Sequence, residues 1–485
     1  MLFKELVEFL RKVEETTSRL EKVNLLVELF KKISDPEEIV ATARLITGRI
    51  FPEYSNLSLD VGWASVVRAY QNVRGVKKFF VRELTVKEVY SILEKIARVE
   101  GENSRLRKIR LLEGLFSSLG DTEIEYLLRF ISGEPRIGAN VGLLLEALAK
   151  LANTDIDTVL RAYMFEGDIG ELTKIAVLKG EQGLKQVKLT LFKPVRPMLG
   201  EMSYDIREVL KKCGGRAAFE YKYDGIRLQI HKRGNKVRLF TRRLKDVTES
   251  LPDVVDLVLN KVKAHEVILD SEAVGFKDGR PIRFQDLVKR IRRKYDVRVM
   301  MKEIPLTLRV FDILLLDGKI LIDEPYEKRW EILYNIVEND ILTRREVLND
   351  LAKIKTFLDE SLRLGNEGLM AKRLDSPYVP GTRGRYWFKI KPAETLDLVI
   401  VGAEWGHGRR RGWLSDYYLA VYDDENNEFL VIGKTFKGLT DEEFKETTKK
   451  LLELKVKDEG WRIWVQPKIV VEVAFNEIQK SPKYK

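Results

Sequence analysis

The chain has 485 residues, one cysteine and a formal net charge of +11. At 44% hydrophobic content it can bury sizeable cores; no apolar run reaches the ~20 residues that span a membrane, and no signal-peptide pattern opens it. A lone Cys213 excludes an internal disulfide and a four-cysteine zinc site, and the expectation is a cytoplasmic protein with a polyanionic partner, since neutralised phosphates release counterions.

At about 150 residues per domain the length suggests three domains. Residues 1 to about 190 read as helical. Leu2, Leu6, Phe9, Leu10 and Val13 recur at helical spacing, as do Leu111, Leu112, Leu115 and Phe116, then Leu143, Leu144, Leu145 and Leu148. Three connections stand out: Gly101 to Ser104, Gly133 to Asn140, and Gly167 to Glu171. Each opens a helix, where free backbone N–H groups either bind phosphate or are satisfied by ordinary capping. The proline-rich run Phe192 to Leu199 stops the helices and marks a boundary.

Residues 196–392 mix strands with helices. In Phe219-Glu220-Tyr221-Lys222-Tyr223-Asp224-Gly225-Ile226-Arg227 a lysine precedes a glycine bend. Ile226, Leu228 and Ile230 then alternate with polar residues as a half-buried strand does, and Gly234-Asn235 turns into a return strand over Val237 to Phe240. Val267 to Leu269 and Leu308 to Leu314 read as core strands, and 327–363 as helices packed outside. From Leu396 strands return at 398–401, 417–422, 429–432 and 469–475, around a basic loop from Gly406 to Gly412. A small antiparallel barrel of the OB type fits this pattern, and such barrels bind nucleic acid.

Lys-x-Asp-Gly alone also fits a surface turn. It is followed in order by Thr241-Arg242-Arg243, Leu269-Asp270-Ser271-Glu272-Ala273, Val310-Phe311-Asp312, Glu367 to Lys372 and Trp387-Phe388-Lys389-Ile390-Lys391. This ordered set resembles the covalent nucleotidyltransferases, and the whole chain resembles the ATP-dependent DNA ligases of the archaeal and eukaryotic type. The resemblance implies an all-α DNA-binding domain (1–195), an α+β nucleotidyltransferase or adenylation domain (196–392) and a C-terminal OB-fold domain (393–485). The missing four-cysteine zinc site, typical of NAD-dependent bacterial ligases, favours ATP.

The implied reaction begins with attack of Lys222 on the α-phosphate of ATP, with loss of pyrophosphate. AMP then passes to the 5′-phosphate of a nick in double-stranded DNA, and the 3′-hydroxyl displaces it. A free lysine titrates near ~10.4, so the amine needs burial or neighbouring positive charge. Lys389 and Lys391, on one face of a strand, are the candidates for that charge and for holding the α-phosphate; a solvated edge strand is their bland reading. Phe311 would stack on adenine, or simply pack in the core. Glu220 would accept from the adenine amino group or fix the pocket. Arg227 and Arg242 resemble the arginines that hold the ribose and the nick phosphate, and Arg383 matches an ATP contact. Glu272 and Glu367 would hold Mg²⁺ or another divalent cation, with Glu272 alternatively on the ribose hydroxyls. Asp224 and Gly225 would shape the bend. Ser104, Arg136 and Gly138 would grip the DNA backbone.

Two departures accompany the resemblance. Val76, Phe79 and Phe80 occupy the family's sliding-clamp segment, but Val73 stands where the pattern has glutamine, and two buried aromatics are the competing reading. The closing stretch Val470 to Lys485 stops before the family's final basic motif, which leads to the expectation of a truncated chain with impaired self-adenylation. The expected enzyme is a monomeric, nucleoid-associated DNA ligase of replication, repair and recombination; an RNA ligase or capping-type enzyme and a DNA-binding fragment are the alternatives.

Overall fold

The computed structural model describes residues 1–75, 83–277, 280–282, 284–292, 297–392 and 394–475. Val76, Phe79, Phe80 and the stretch from Asn476 onward lie outside the described residues. Two units are present, Met1–Ile390 and Lys391–Lys485.

The first unit begins with ten helices among the described residues, from Phe3–Glu15 to Ile169–Lys185. Their apolar stripes, among them Leu6, Leu10, Leu112, Leu115, Leu144 and Leu148, share one buried core. Each glycine-containing connection leads into a helix, at Ser104, Val141 and Ile169. Ordinary caps start two of these: Asn140 accepts from the Leu143 N–H at 2.9 Å, and Asp168 from the Gly170 N–H at 3.0 Å. Asp168 also pairs with Arg44 at 2.5 Å, with little of either side chain exposed.

Eleven strands follow among the described residues: β1 (Leu199–Ser203), β2 (Ala217–Lys222), β3 (Ile226–Arg233), β4 (Lys236–Thr241), β5 (Glu266–Lys277), β6 (Arg280–Pro281), β7 (Leu306–Leu316), β8 (Lys319–Ile320), β9 (Arg345–Leu348), β10 (Gly368–Lys372) and β11 (Arg383–Ile390). They make two sheets, one ordered β1-β11-β10-β2-β9, the other β4-β3-β5-β7-β8 with β6 on β5. All pairings are antiparallel except β1 with β11. Alternation sorts the side chains. Val267 and Leu269 face one core, whereas Ile268 enters another with Leu314, Tyr378 and Trp387. Helices Pro252–Lys261 and Tyr326–Ile336 pack on the second sheet, and Leu351–Arg363 on the first. Between them β9 corrects the all-helical expectation for 327–363: its four residues are too few to show a period of two, and its pairing with β2 defines it.

The proline-rich run is strapped to β3. The Phe192 N–H donates to His231 Nδ1 at 2.9 Å, the Val195 N–H donates to Gln229 Oε1 at 2.9 Å, and Gln229 Nε2 donates to Val195 O at 3.0 Å. Burial holds the His231 imidazole neutral, down to about 3. Nδ1 accepts, so the proton sits on Nε2, facing Gln229 Oε1 at 2.9 Å.

The second unit holds β12 (Glu394–Trp405), β13 (Leu414–Asp423), β14 (Glu428–Thr435), β15 (Lys455–Asp458) and β16 (Arg462–Phe475). They form one antiparallel sheet, β14-β13-β12-β16-β15, curled as a half-barrel of the OB type. A register shift falls between Ile400 and Gly402. A Cβ on Gly402 would come within 2.8 Å of the Trp464 ring and 3.0 Å of the Ile463 carbonyl, so the close approach at this bulge needs glycine. Helix Asp441–Glu453, absent from the sequence expectation, seats Phe444 and Leu451 in the core. Among the described residues no helix is long and apolar enough to cross a membrane.

One buried ion pair ties the second sheet to its helix. Asp312 accepts from Arg329 Nε at 2.8 Å and Nη2 at 3.0 Å, and neither side chain is exposed. Removing one partner strands a buried charge, so Arg329→Ala is expected to destabilise this unit by about 3–5 kcal/mol, and Arg329→Met with Asp312→Leu by clearly less. Urea unfolding followed by tryptophan fluorescence checks the order.

Candidate active site

The polypeptide passes from the first sheet to the second at one short turn and returns between β8 and β9. Lys222 ends β2 in the first sheet, residues 223–225 bend, and Ile226 begins β3 in the second. At Gly225 a Cβ would lie 2.5 Å from the Ala273 carbonyl and 2.8 Å from Glu272 Cγ. Only glycine lets the turn press against β5, and that pressure brings Glu272 to Lys222.

Strand register places the rest. Gly368 lies opposite Lys222, and the Glu367 N–H donates to the Lys222 carbonyl at 2.8 Å. The Glu367 carboxylate pairs with the Lys222 ammonium. Arg227 on β3 faces Glu272 on β5. Met370 stands between Glu220 and Lys389. Lys222, Glu272, Arg227, Glu220 and Lys389 therefore lie on paired strands, with Glu367 just ahead of β10. Lys391 follows the last residue of β11 and begins the second unit; the alternation expected to put both lysines on one strand face extends only to Lys389.

The charges are mixed and crowded. Burial lowers the Lys389 ammonium to about 8, and the neighbouring charges of Lys222, Arg242, Arg383 and Arg227 add to the effect. Burial, then Arg227 and Arg383, also lower Arg242. Four cations that repel Lys389 across one space make an anion cradle. The carboxylates show the converse. Burial raises Glu272 to about 8, against the opposing pull of Lys222 and Arg227. Asp224 is raised by burial and by Glu367, with which it shares a hydrogen bond. Carboxyls pressed toward the protonated form, beside a cradle for phosphates, fit a divalent cation held by one or two carboxylates, phosphate oxygens and water. Among the described residues no group of three metal-ligating side chains is preset as a cage. Asp224, expected only to shape the bend, stands within this carboxylate group.

Beside the cradle lies a cluster of aromatic rings. Half-buried Phe311 meets Trp387 edge to face, with ring centroids 6.2 Å apart. The Arg227 guanidinium lies 5.4 Å from the Phe311 centroid and 5.7 Å from that of Trp387. Arg227 is held by Asp270, Nε to Oδ1 at 3.0 Å and Nη2 to Oδ2 at 2.6 Å, and Tyr378 donates to the same Oδ2 at 2.7 Å. Glu220 is 2% exposed and pairs with Lys372 at 2.8 Å. Arg242 and Arg383 are exposed. Asp270, Lys372 and Trp387 lie inside the ordered motifs without an expected role, and Tyr378 and Tyr326 lie outside every motif, with no sequence signal that marks them as buried.

The candidate DNA contacts lie elsewhere, in the helical part. Ser104 begins helix Ser104–Ser117, whereas Arg136 and Gly138 sit in the loop before helix Val141–Leu151. Arg136 is 75% exposed at its side chain and pairs with Glu134 at 2.6 Å.

Comparison with known proteins agrees along the chain. Residues 197–391 match the ATP dependent DNA ligase domain, residues 2–81 and 77–149 match the DNA ligase N terminus, and 410–484 match the ATP dependent DNA ligase C terminal region. The chain is 44% identical to "DNA ligase 1" of Korarchaeum cryptofilum and 38% identical to the "DNA ligase" of Thermococcus fumicolans, in each case over 100% of this chain and 92% of the relative. The "DNA ligase" of Archaeoglobus fulgidus is 37% identical over the same shares. The solved structure of "Pmar-Lig_PreS3" shares the fold at a TM-score of 0.58 and 18% identity, covering 98% of this chain and 95% of that one.

The glycine turn makes a direct prediction. Gly225→Ala must push Ala273 and Glu272 away from Lys222 and is expected to cost about 1–3 kcal/mol of stability. A thermal melt checks the loss, and a crystal structure of the variant checks the displacement of Glu272.

Proposed function

The chain belongs to the ATP-dependent DNA ligase family, and on that premise we propose that Lys222 carries the AMP and that the side chains around it divide the nucleotide between them. The family's activity is the sealing of nicks in duplex DNA with ATP and a divalent cation, by covalent adenylyl transfer. The observation that carries the residue assignment is the placement of Lys222 at the junction of two sheets, between a cluster of cations and a cluster of carboxylates.

In this reading the base lies against Phe311, and Arg227, held by Asp270, reaches the ribose. Lys389, Lys391 and the exposed guanidinium groups of Arg242 and Arg383 take the phosphates. Glu272 and Glu367 would hold a divalent cation, which neutralises phosphate charge and eases departure of the leaving group. Attack needs the neutral amine, so the Lys222 ammonium, paired with Glu367, first gives up a proton to water. The amine nitrogen then bonds to the α-phosphorus as the bond to the pyrophosphate oxygen breaks. The nick 5′-phosphate takes AMP from Lys222, restoring the amine. The 3′-hydroxyl then attacks that phosphate and AMP departs. The same cations serve each step because each builds charge on phosphate oxygens.

Further parts of the proposal concern organisation. The parts are a DNA-binding part at 1–195, an adenylation part at 196–392 and an OB part at 393–485, with Ser104, Arg136 and Gly138 on the DNA backbone; the helical core and the second-sheet core are distinct, while Phe165, Leu189 and Val195 pack with Ile268 and Trp387 across the first boundary. The enzyme works as an intracellular monomer at the nucleoid. Val76, Phe79 and Phe80 are its segment for a sliding clamp, and gel filtration with a clamp protein would remove that reading if the two elute apart.

Sealing of a nicked duplex bearing a 5′-phosphate, with ATP and Mg²⁺, tests the assignment. Lys222→Ala is expected to abolish it yet retain sealing of a pre-adenylated nick; loss of neither, or of both alike, contradicts the role. A pH profile tests Lys389. It is charged below about 8 and neutral above, so kcat/KM for ATP, which reports the free enzyme, should fall as pH rises through that value. Lys389→Arg, whose charge persists, should remove that limb.

A further inference from the structure

Behind Phe311 lies a set of buried polar groups that phosphate transfer leaves unused. Lys372 is 1% exposed at its side chain. Its ammonium lies over three rings, 4.4 Å from the Trp387 centroid, 4.6 Å from Phe311 and 4.7 Å from Tyr326. It donates to the Phe311 carbonyl at 3.0 Å and pairs with Glu220 Oε2 at 2.8 Å. The other oxygen, Oε1, accepts from the hydroxyl of Tyr326, a residue with no exposure. Arg345, cross-strand neighbour of Glu220, covers this group with its guanidinium 5.4 Å from the Tyr326 ring and 4.7 Å from that of Trp330.

Such a group is costly to build. A buried ammonium and a buried carboxylate each lose hydration, and the pair is weak evidence for added stability. Its geometry suits another task. Glu220 stands two residues before Lys222, on the same face of β2, and Lys372 joins it to the backbone of the ring against which the base would lie. Burial raises the Glu220 carboxyl, and Lys372, Tyr326 and, last, Arg345 pull against that rise. A carboxyl that is protonated donates; one that receives hydrogen bonds on both oxygens can only accept, with lone pairs to spare.

We propose that Tyr326 and Lys372 are positioning residues that make this pocket selective for adenine, by donating to both oxygens of Glu220 so that it meets the base edge only as an acceptor. The inference rests on the reading of this pocket as the nucleotide site. A 6-amino group brings the donor that Glu220 needs. A 6-oxo group, as in hypoxanthine or guanine, sets an acceptor against an acceptor, and a site built for one hydrogen-bonding pattern rejects the other strongly because buried polar groups are left unpaired. The aromatic face and the ribose contacts do not distinguish the two bases, so selectivity passes through Glu220 and the two residues that fix it.

The test compares ATP with inosine triphosphate, which differs at the base edge and not in the phosphates. Equilibrium dialysis of the full chain in EDTA, where no covalent transfer proceeds, gives a Kd for each. The wild-type protein is expected to favour ATP, and Tyr326→Phe, which removes one oxygen atom, to lower the ATP preference by about tenfold or more, the scale of one lost hydrogen bond to a charged group. Lys372→Met provides the second variant and should act in the same direction. A merely structural role would weaken both nucleotides alike and leave the ratio unchanged. An unchanged ratio in folded Tyr326→Phe, or in Lys372→Met where the first variant does not fold, overturns the proposal. Failure of the wider reading shows separately, as loss of the Lys222 dependence of nick sealing.

Discussion

The antiparallel pairing of β2 with β10 is the constraint on which the site depends. It sets Gly368 opposite Lys222 and hydrogen-bonds the Glu367 amide to the Lys222 carbonyl, so a carboxylate meets the lysine by register and not by chance of rotamer. The same register sets Met370 beside Glu220 and Lys389 beside Met370. A slip of one residue would turn Lys222, Glu220 and Lys389 from the site into the core of Phe219, Leu369 and Phe388. The turn at Gly225 then hands the chain to the second sheet, and the facing pair Arg227 and Glu272 completes the site.

Electrostatics gives this geometry a direction. Lys389 and Glu272 both titrate near 8, one lowered and one raised, with burial as the first cause in each. The free site thus carries less charge than its composition suggests. A triphosphate with a divalent cation supplies what each cluster lacks: anionic oxygens for the cations and positive charge for the carboxyls. Binding would restore charge on both sides, so a triphosphate and a divalent cation each strengthen the site for the other. The buried Asp270–Arg227 pair joins β5 to β3, and the Asp312–Arg329 pair joins β7 to helix Tyr326–Ile336.

Much of this was legible in the sequence, for physical reasons. Alternation at Ile226, Leu228 and Ile230 gave the strand after the lysine, and leucines at helical spacing gave the helical part, because burial imposes those periods. The ordered motifs pointed to the residues that meet around Lys222. Less visible were features set by tertiary contact. The strand Arg345–Leu348 is too short to show a period and exists through β2. Tyr326 reads as an ordinary helix residue until Glu220 is seen beneath its hydroxyl. Lys372 ends a motif with nothing in the sequence to mark its surroundings, yet it is enclosed by Phe311, Trp387 and Tyr326. The expected extension of the strand through Lys391 failed because alternation carries no mark of where pairing ends.

The central claim is that Lys222 itself becomes the bearer of AMP. Peptide mass spectrometry after incubation with ATP and Mg²⁺ tests it most directly. The account predicts one AMP, on the peptide containing Lys222 and attached to its Nζ, and its removal when inorganic pyrophosphate is added, since the first step then runs backwards. An adduct on another residue, or one that pyrophosphate does not reverse, would contradict it.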